Sequence, residues 1–359
     1  MTETAPEADR VPGAPHPREA TGLIGHDSAV ADFIAAARAH RLHHGWLITG
    51  PRGTGKATLA WQIAKWLLSD SDSDDLSSDP DSPVVRRIRA LSEPRLQLIR
   101  RPVDEKTNRL RAEITVDEIR RLHGFFHMSA AEGGRRVAII DAADEMNQAS
   151  ANALLKLLEE PPHDATLLLI AHQPARLLPT IRSRCRELRL HPLPPDQMAR
   201  VLHNLGVEHD AAQLAALSAG SVGEALRLSG QDGLALYHRI VALFAEYPRM
   251  DRRAAAALAE AAAGRAGADG DPFDLMITLL DRFLTRAART GLMGAPLPEA
   301  AEGEAETLTR LAPDPGSARL WASAQAELSA RARSGRAVNL DPSALVLDML
   351  IGLANQPAT

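Results

Sequence analysis

The stretch GPRGTGKATLA, residues 50–60, constrains this chain more than any other. Gly50, Gly55 and Lys56 meet the spacing G-x-x-x-x-G-K of a phosphate-binding loop. In such a loop glycines let backbone N–H groups wrap phosphates, the next helix points its positive end at them, and the lysine neutralises them. The motif carries weight only between a strand and a helix. WLITG, Trp46 to Gly50, is a short apolar run ending in glycine and reads as a buried strand. ATLAWQIAKWLL places Leu59, Ile63, Trp66 and Leu67 at helical spacing. The context is therefore the required one, and Gly50, Gly53, Thr54, Gly55, Lys56, Ala57 and Thr58 are the candidate nucleotide-binding residues.

The loop is flawed at one position. After the lysine, a Ser or Thr hydroxyl should hold Mg²⁺ against the phosphates, and here stands Ala57. Thr58 is about 100° further round the helix and should not substitute. A second landmark repeats the pattern. In RRVAIIDAADEMN the apolar strand Val137 to Ile140 ends in Asp141, where a second acidic metal partner belongs. In ATPases of this type a Glu usually follows and activates water; here Ala142 follows, and Asp144 and Glu145 come too late to take its place. The expectation is a nucleotide site retained as scaffold, with Asp141 part of it, no required cofactor and no metal. Weak ATP or ADP binding stays open, as does an active ATPase using Lys56 and Asp141, with Thr58 or water completing the metal shell.

Strands and helices alternate up to about residue 190. RLQLIRRP and ATLLLIAH read as further strands, ITVDEIRRLHGFF and ASANALLKLLEEPP as helices, the second stopped by Pro161 and Pro162. That alternation implies a largely parallel sheet covered on both faces. From His191 the strand signals fade. PDQMARVLHNLG, DAAQLAALSAG and SVGEALRLSG are three short helical segments, each closed by glycine. From Gly233 onward the chain is rich in Ala, Leu and Arg at helical spacing. The fold class is α/β plus all-α. The expected division is a disordered tail over 1–20, an α/β domain over 21–190 with a flexible acidic loop at 69–84, a helical lid over 191–232 and a helical domain over 233–359.

The chain has 359 residues, room for two or three domains, and a formal net charge of -5, which argues against coating DNA by charge alone. The single cysteine, Cys185, excludes an intramolecular disulfide and a cysteine-ligated zinc module, and reads as a packed small residue. No apolar run reaches the roughly 18–20 residues that span a bilayer, and the first 20 residues lack a signal-peptide core. The expected location is the cytoplasm, with no membrane partner.

LIGHDSAVADFIAAARAHRLHHGWLITGPRGTGKATLA, NALLKLLEEPP and LLPTIRSRC, in this order, resemble the clamp-loader subunits of bacterial DNA polymerase III, of the AAA+ class. The flawed loop and DAADEMN place the resemblance nearer the delta-prime than the gamma/tau members. The resemblance implies a RecA-like AAA+ domain with a parallel sheet, a small helical lid and a C-terminal helical collar. It further implies assembly with gamma/tau and delta subunits, and loading of a sliding clamp onto primed DNA by a member that does not itself hydrolyse ATP. By position, Arg184 of SRC would be an arginine finger reaching a neighbouring gamma/tau site in trans; the alternative is a local ion pair. A lid arginine that senses phosphate in ATPase relatives is replaced by Gly223, with Arg227 a turn later expected at the surface. His172 and Gln173 both fall at the strand end that senses phosphate.

Overall fold

The computed structural model describes residues 7, 10, 11, 15–39, 41–104, 106, 109–127, 134–207, 210–264 and 270–356. Contacts divide the chain into two units, one running to Gln197 and including Ser221–Gly223, the other formed by Met198–Gly220 and the chain from Glu224.

In the first unit the chain runs α1 (Asp27–Arg38), β1 (Gly45–Thr49), α2 (Lys56–Leu68), α3 (Pro83–Arg89), β2 (Leu96–Arg100), a small hairpin of β3 (Val103–Asp104) and β4 (Arg109–Leu110), and α4 (Val116–His127). It continues through β5 (Arg136–Asp141), α5 (Gln148–Glu159), β6 (Ala165–Ala171), α6 (Pro179–Arg182) and β7 (Arg186–Arg189). Five strands form one sheet in the order β2-β5-β6-β1-β7, every pairing parallel. Parallel neighbours need crossover helices, and those helices cover both faces. The strands alternate accordingly. Trp46, Ile48, Ile139 and Leu168 pack with Phe33 of α1 and Leu59, Trp61 and Ile63 of α2. Leu47, Ile140, Leu167 and Leu169 pack on the other face with Ile119 and Leu122 of α4 and Leu154 and Leu158 of α5. β1 lies second from one edge, between β6 and β7, with β5 next beyond β6, and the sheet is the parallel, two-faced one the sequence implies.

Two expectations are corrected. Of the tail expected to be disordered over 1–20, residues 1–6, 8, 9 and 12–14 lie outside the described residues, but residues 15–20 are docked. The His16 ring meets Trp61 edge-on at 5.9 Å. The carbonyl of Ala20 accepts from Gln62 Nε2 at 2.8 Å and Lys65 Nζ at 2.7 Å. The polar groups that hold this segment belong to α2, so its own composition could not reveal them. The acidic loop expected to be flexible over 69–84 is anchored: Leu76 enters the core that includes α2, and the Trp66 indole donates to the carbonyl of Ser73 at 3.1 Å. From Pro83 the segment is already α3.

The second unit is helical: α7 (Pro195–Asn204, entering from the first unit), α8 (Ala211–Ser218), α9 (Val222–Gly230), α10 (Gly233–Ala245), α11 (Arg252–Ala261), α12 (Pro272–Met293), α13 (Glu304–Leu311), α14 (Pro315–Ala337) and α15 (Pro342–Ala354). Phe244, Phe283 and Trp321 form an aromatic core around α12. Beside it, buried Glu304 accepts from Tyr237 Oη at 2.5 Å, Arg286 Nε at 2.6 Å and the amide of Ala300 at 2.6 Å. Arg286 also reaches the carbonyl of Ala216 at 3.2 Å and Arg282 that of Leu217, so α12 places two cations on the carbonyl end of α8. Arg227, expected at the surface, is half-buried and binds Glu224 with two nitrogens, at 3.0 and 2.8 Å.

Candidate functional site

The loop 50–56 joins the carboxyl end of β1 to the first turn of α2, the place the motif requires. Gly53 and Gly55 hold φ of 73° and 94°, the left-handed region where a side chain is strained. Thr54 is buried. Its hydroxyl donates to the carbonyl of Pro51 at 2.9 Å, and its own carbonyl lies 2.8 Å from His26 Nε2. Gly50, Gly53, Thr54, Gly55, Lys56, Ala57, Thr58 and, across the sheet, Asp141 thus gather at one end of the fold.

Lys56 is buried, and its ammonium donates to the carbonyls of Gly50 at 2.8 Å and Pro51 at 2.5 Å. Burial pushes its pKa down to about 8, against the opposing pull of Asp141 and Asp144. The cation that should meet phosphate is folded onto its own loop. Ala57 packs its methyl group toward the core of α1 and α2. The loop is also closed from above. The amide of Gly223 donates to the carbonyl of Gly53 at 3.1 Å, and Ser221 Oγ donates to that of Arg52 at 3.0 Å. Gly223, expected from the resemblance to stand in place of a sensing arginine, lies against the loop as bare backbone. These features fit a Mg²⁺-nucleotide poorly: the lysine is engaged, position 57 offers no oxygen, and the Thr54 hydroxyl is turned inward.

Sequence reasoning missed Asp144, which it placed too late to act. The buried Asp144 carboxylate accepts the amides of His172 at 3.0 Å and Gln173 at 2.9 Å, tying the end of β6 to the turn after β5. Gln173 is exposed, whereas the His172 ring lies within electrostatic reach of Lys56 and Arg52. Burial first, then those two cations, pushes the His172 pKa down to about 4, so the ring is neutral at pH 7. Glu145 bridges Arg52 at 3.3 Å and Arg101 at 2.9 Å. The local signal was only an acidic pair after a strand, which a solvated turn would also show. Among the described residues no group of three His, Cys, Asp or Glu side chains could hold a metal ion, and no helix is long and apolar enough to cross a membrane.

Arg184 sits elsewhere. It follows α6 and precedes β7, whose Arg186 pairs with Trp46 of β1. It therefore flanks the amino end of β1, a strand's length from the loop at the carboxyl end, and cannot serve its own chain's loop. Its Nη2 lies 2.9 Å from the Glu159 carboxylate, and its Nη1 donates to the carbonyl of Thr180 at 3.1 Å. Cys185 beside it is packed against the sheet core, and burial pushes its thiol up to about 12, which makes it a poor nucleophile.

A family profile described as "DNA polymerase III, delta subunit" matches residues 25–194. The chain is 39% identical over 193 residues to DNA polymerase III subunit delta' of Pseudomonas aeruginosa, which covers 52% of this chain and 56% of that one. It is 34% identical over 196 residues to subunit delta' of Bacillus subtilis, covering 54% and 56%. DNA polymerase III subunit tau of Escherichia coli is 30% identical over 223 residues, covering 60% of this chain and 33% of tau. The chain thus spans little more than half the length of the delta' relatives it matches. Residues 25–194, which hold the flawed loop, the Asp141 strand and the Arg184 segment, are the part of the chain that matches this profile and is similar to DNA polymerase III delta' subunits.

Proposed function

We propose that this chain is the stator-like member of a bacterial clamp loader. Assembled with gamma/tau and delta subunits in the cytoplasm, it helps place a sliding clamp on primed DNA without hydrolysing ATP itself. The observation that carries the reading is the engagement of Lys56 by Gly50 and Pro51 beside an alanine at position 57. A lysine that already satisfies two donors on its own loop has no net reason to exchange them for a nucleotide that lacks a metal anchor. The catalytic contribution passes to a neighbour. Arg184, permanently charged and rooted at the edge of the sheet, supplies its guanidinium in trans to phosphoryl transfer at a gamma/tau site, where charge develops on the phosphate oxygens.

Calorimetry with the full chain tests the first half. ATP and ADP should show no Mg²⁺-strengthened binding, and turnover by the purified chain that Lys56→Ala abolishes would overturn the reading. Reconstitution with gamma/tau and delta tests the second: Arg184→Ala should lower the DNA-stimulated ATPase of the adjoining site by about 10³-fold, as loss of a trans arginine does elsewhere. A second reading, a plain assembly module, is favoured by the ion pair that Arg184 makes with Glu159. It predicts that Arg184→Ala leaves the ATPase unchanged.

A further inference from the structure

We infer that Glu159 is a positioning residue for Arg184, holding the guanidinium pre-oriented for a phosphate presented by a neighbouring subunit. The inference rests on the trans role of Arg184 proposed above.

Glu159 is the last residue of α5, and Glu160 follows as its C-cap. Two carboxylates at a helix C-terminus oppose the helix dipole, which there favours cations. Local helix energetics therefore do not select Glu159. What offsets the arrangement is the guanidinium 2.9 Å away.

The root of Arg184 is fixed while its head is accessible. Its amide donates to the carbonyl of Ile181 at 3.1 Å. A Cβ placed on Gly45 would lie 3.0 Å from Leu158 Cδ2 and 3.3 Å from the carbonyl oxygen of Arg184, so β1, the last turn of α5 and the 184–185 segment are in close contact. The side chain itself is 36% exposed and that of Glu159 49%.

A guanidinium has five N–H donors. The contacts to Glu159 and Thr180 use one donor on each Nη. Nε–H and one hydrogen on each Nη stay available, so a phosphate can be bound without breaking either contact. An unheld arginine would have to lose most of its rotamer freedom on engagement. Glu159 and the Thr180 carbonyl remove much of that freedom beforehand.

The test is reconstitution of the full chain with its ATPase neighbour, reading kcat and KM for ATP together with the thermal melt of this chain. Glu159→Ala should lower kcat about 3–10-fold with KM nearly unchanged, the pattern of an interaction realised in the transition state. Glu159→Gln keeps an acceptor for Nη2 and should recover at least half of the loss. In an Arg184→Ala background Glu159→Ala should have no further effect. Wild-type kcat for Glu159→Ala, alongside a loss with Arg184→Ala, would overturn the inference and leave the trans reading standing. A Glu159→Ala loss that persists without Arg184 would also overturn it, as would equal losses in the Ala and Gln variants. No loss with Arg184→Ala would remove the trans reading itself.

Discussion

The amide of Gly223, in the first turn of α9, donates to the carbonyl of Gly53 at 3.1 Å, so the phosphate loop and a segment 170 residues later in the chain share a backbone hydrogen bond. The approach requires two glycines. A Cβ on Gly53 would fall 2.2 Å from Ser221 Oγ and 3.1 Å from Gly223 Cα, at a φ of 73° that L side chains rarely adopt. Gly53→Ala should therefore destabilise the first unit by about 1–3 kcal/mol, combining the φ strain with overpacking. Adding Ser221→Ala should recover only the part due to the clash with Ser221 Oγ, since the Gly223 backbone contacts and the φ strain remain. Urea denaturation of the two variants checks this, and equal stability of wild type and Gly53→Ala would contradict the described closure.

Asp144 carries the second prediction. Its carboxylate is the acceptor for two amides at the end of β6. Asp144→Ala strips both of a buried partner, at about 1–3 kcal/mol for each group left unsatisfied. Asp144→Asn keeps one carbonyl acceptor and should lose roughly half as much. Amide hydrogen exchange at His172 and Gln173 should accelerate in the same order.

The difference between the legible and the hidden parts of this site follows from range. The loop 50–56 and the strand ending at Asp141 are read from neighbours in sequence, since a strand alternates and a glycine turn is contiguous. The two-faced sheet follows from the same local alternation. Asp144 was misjudged because its partners lie 28 and 29 residues away and are backbone amides, which no residue type announces. The docking of residues 15–20 escaped for a related reason. It depends on Gln62 and Lys65, two polar residues on a helix whose apolar stripe already accounted for its burial. The network around Glu304 joins it to Tyr237, 67 residues away, and its arginine, Arg286, reaches Ala216, 70 residues away, though it looks like any other in an Arg-rich segment.

Lys65 yields a pH-dependent prediction. It is buried, and desolvation pushes its pKa down to about 8 from an ordinary 10.5, the nearby Arg89 adding to the effect and Glu19 opposing it. Below pH 8 the lysine is charged in both folded and unfolded states, and the cost of burying the charge is fully present. Between pH 8 and 10.5 the unfolded chain binds more protons, so stability contributed by this residue rises with pH. Lys65→Met removes the buried charge while filling similar space, so it should stabilise the chain by about 1–3 kcal/mol at pH 7. The advantage over wild type should shrink through the pH 8–10.5 window. Paired melts of wild type and variant across that range decide it; a gap that widens as pH rises would contradict the buried-cation account.

The network at Glu304 should set the stability of the helical unit. Glu304 is fully buried and accepts from Tyr237, Arg286 and the amide of Ala300. Burial and the neighbouring carboxylate push the Tyr237 hydroxyl well above its usual range, so it remains a donor throughout the physiological window. Removing the carboxylate with Glu304→Ala leaves a half-buried guanidinium without its charge partner and a phenol without an acceptor, a loss of about 3–5 kcal/mol. Tyr237→Phe removes one donor from an anion that keeps its other partners, and should cost about 1–3 kcal/mol. Because Arg286 also holds the carbonyl of Ala216, Arg286→Met should fall between them and loosen the end of α8 as well. Two units need not unfold as one. The losses should therefore appear in the transition of the helical unit, while the transition that responds to Gly53→Ala keeps its midpoint. A Glu304→Ala variant whose helical transition matches wild type would mean that this buried network adds nothing to the fold.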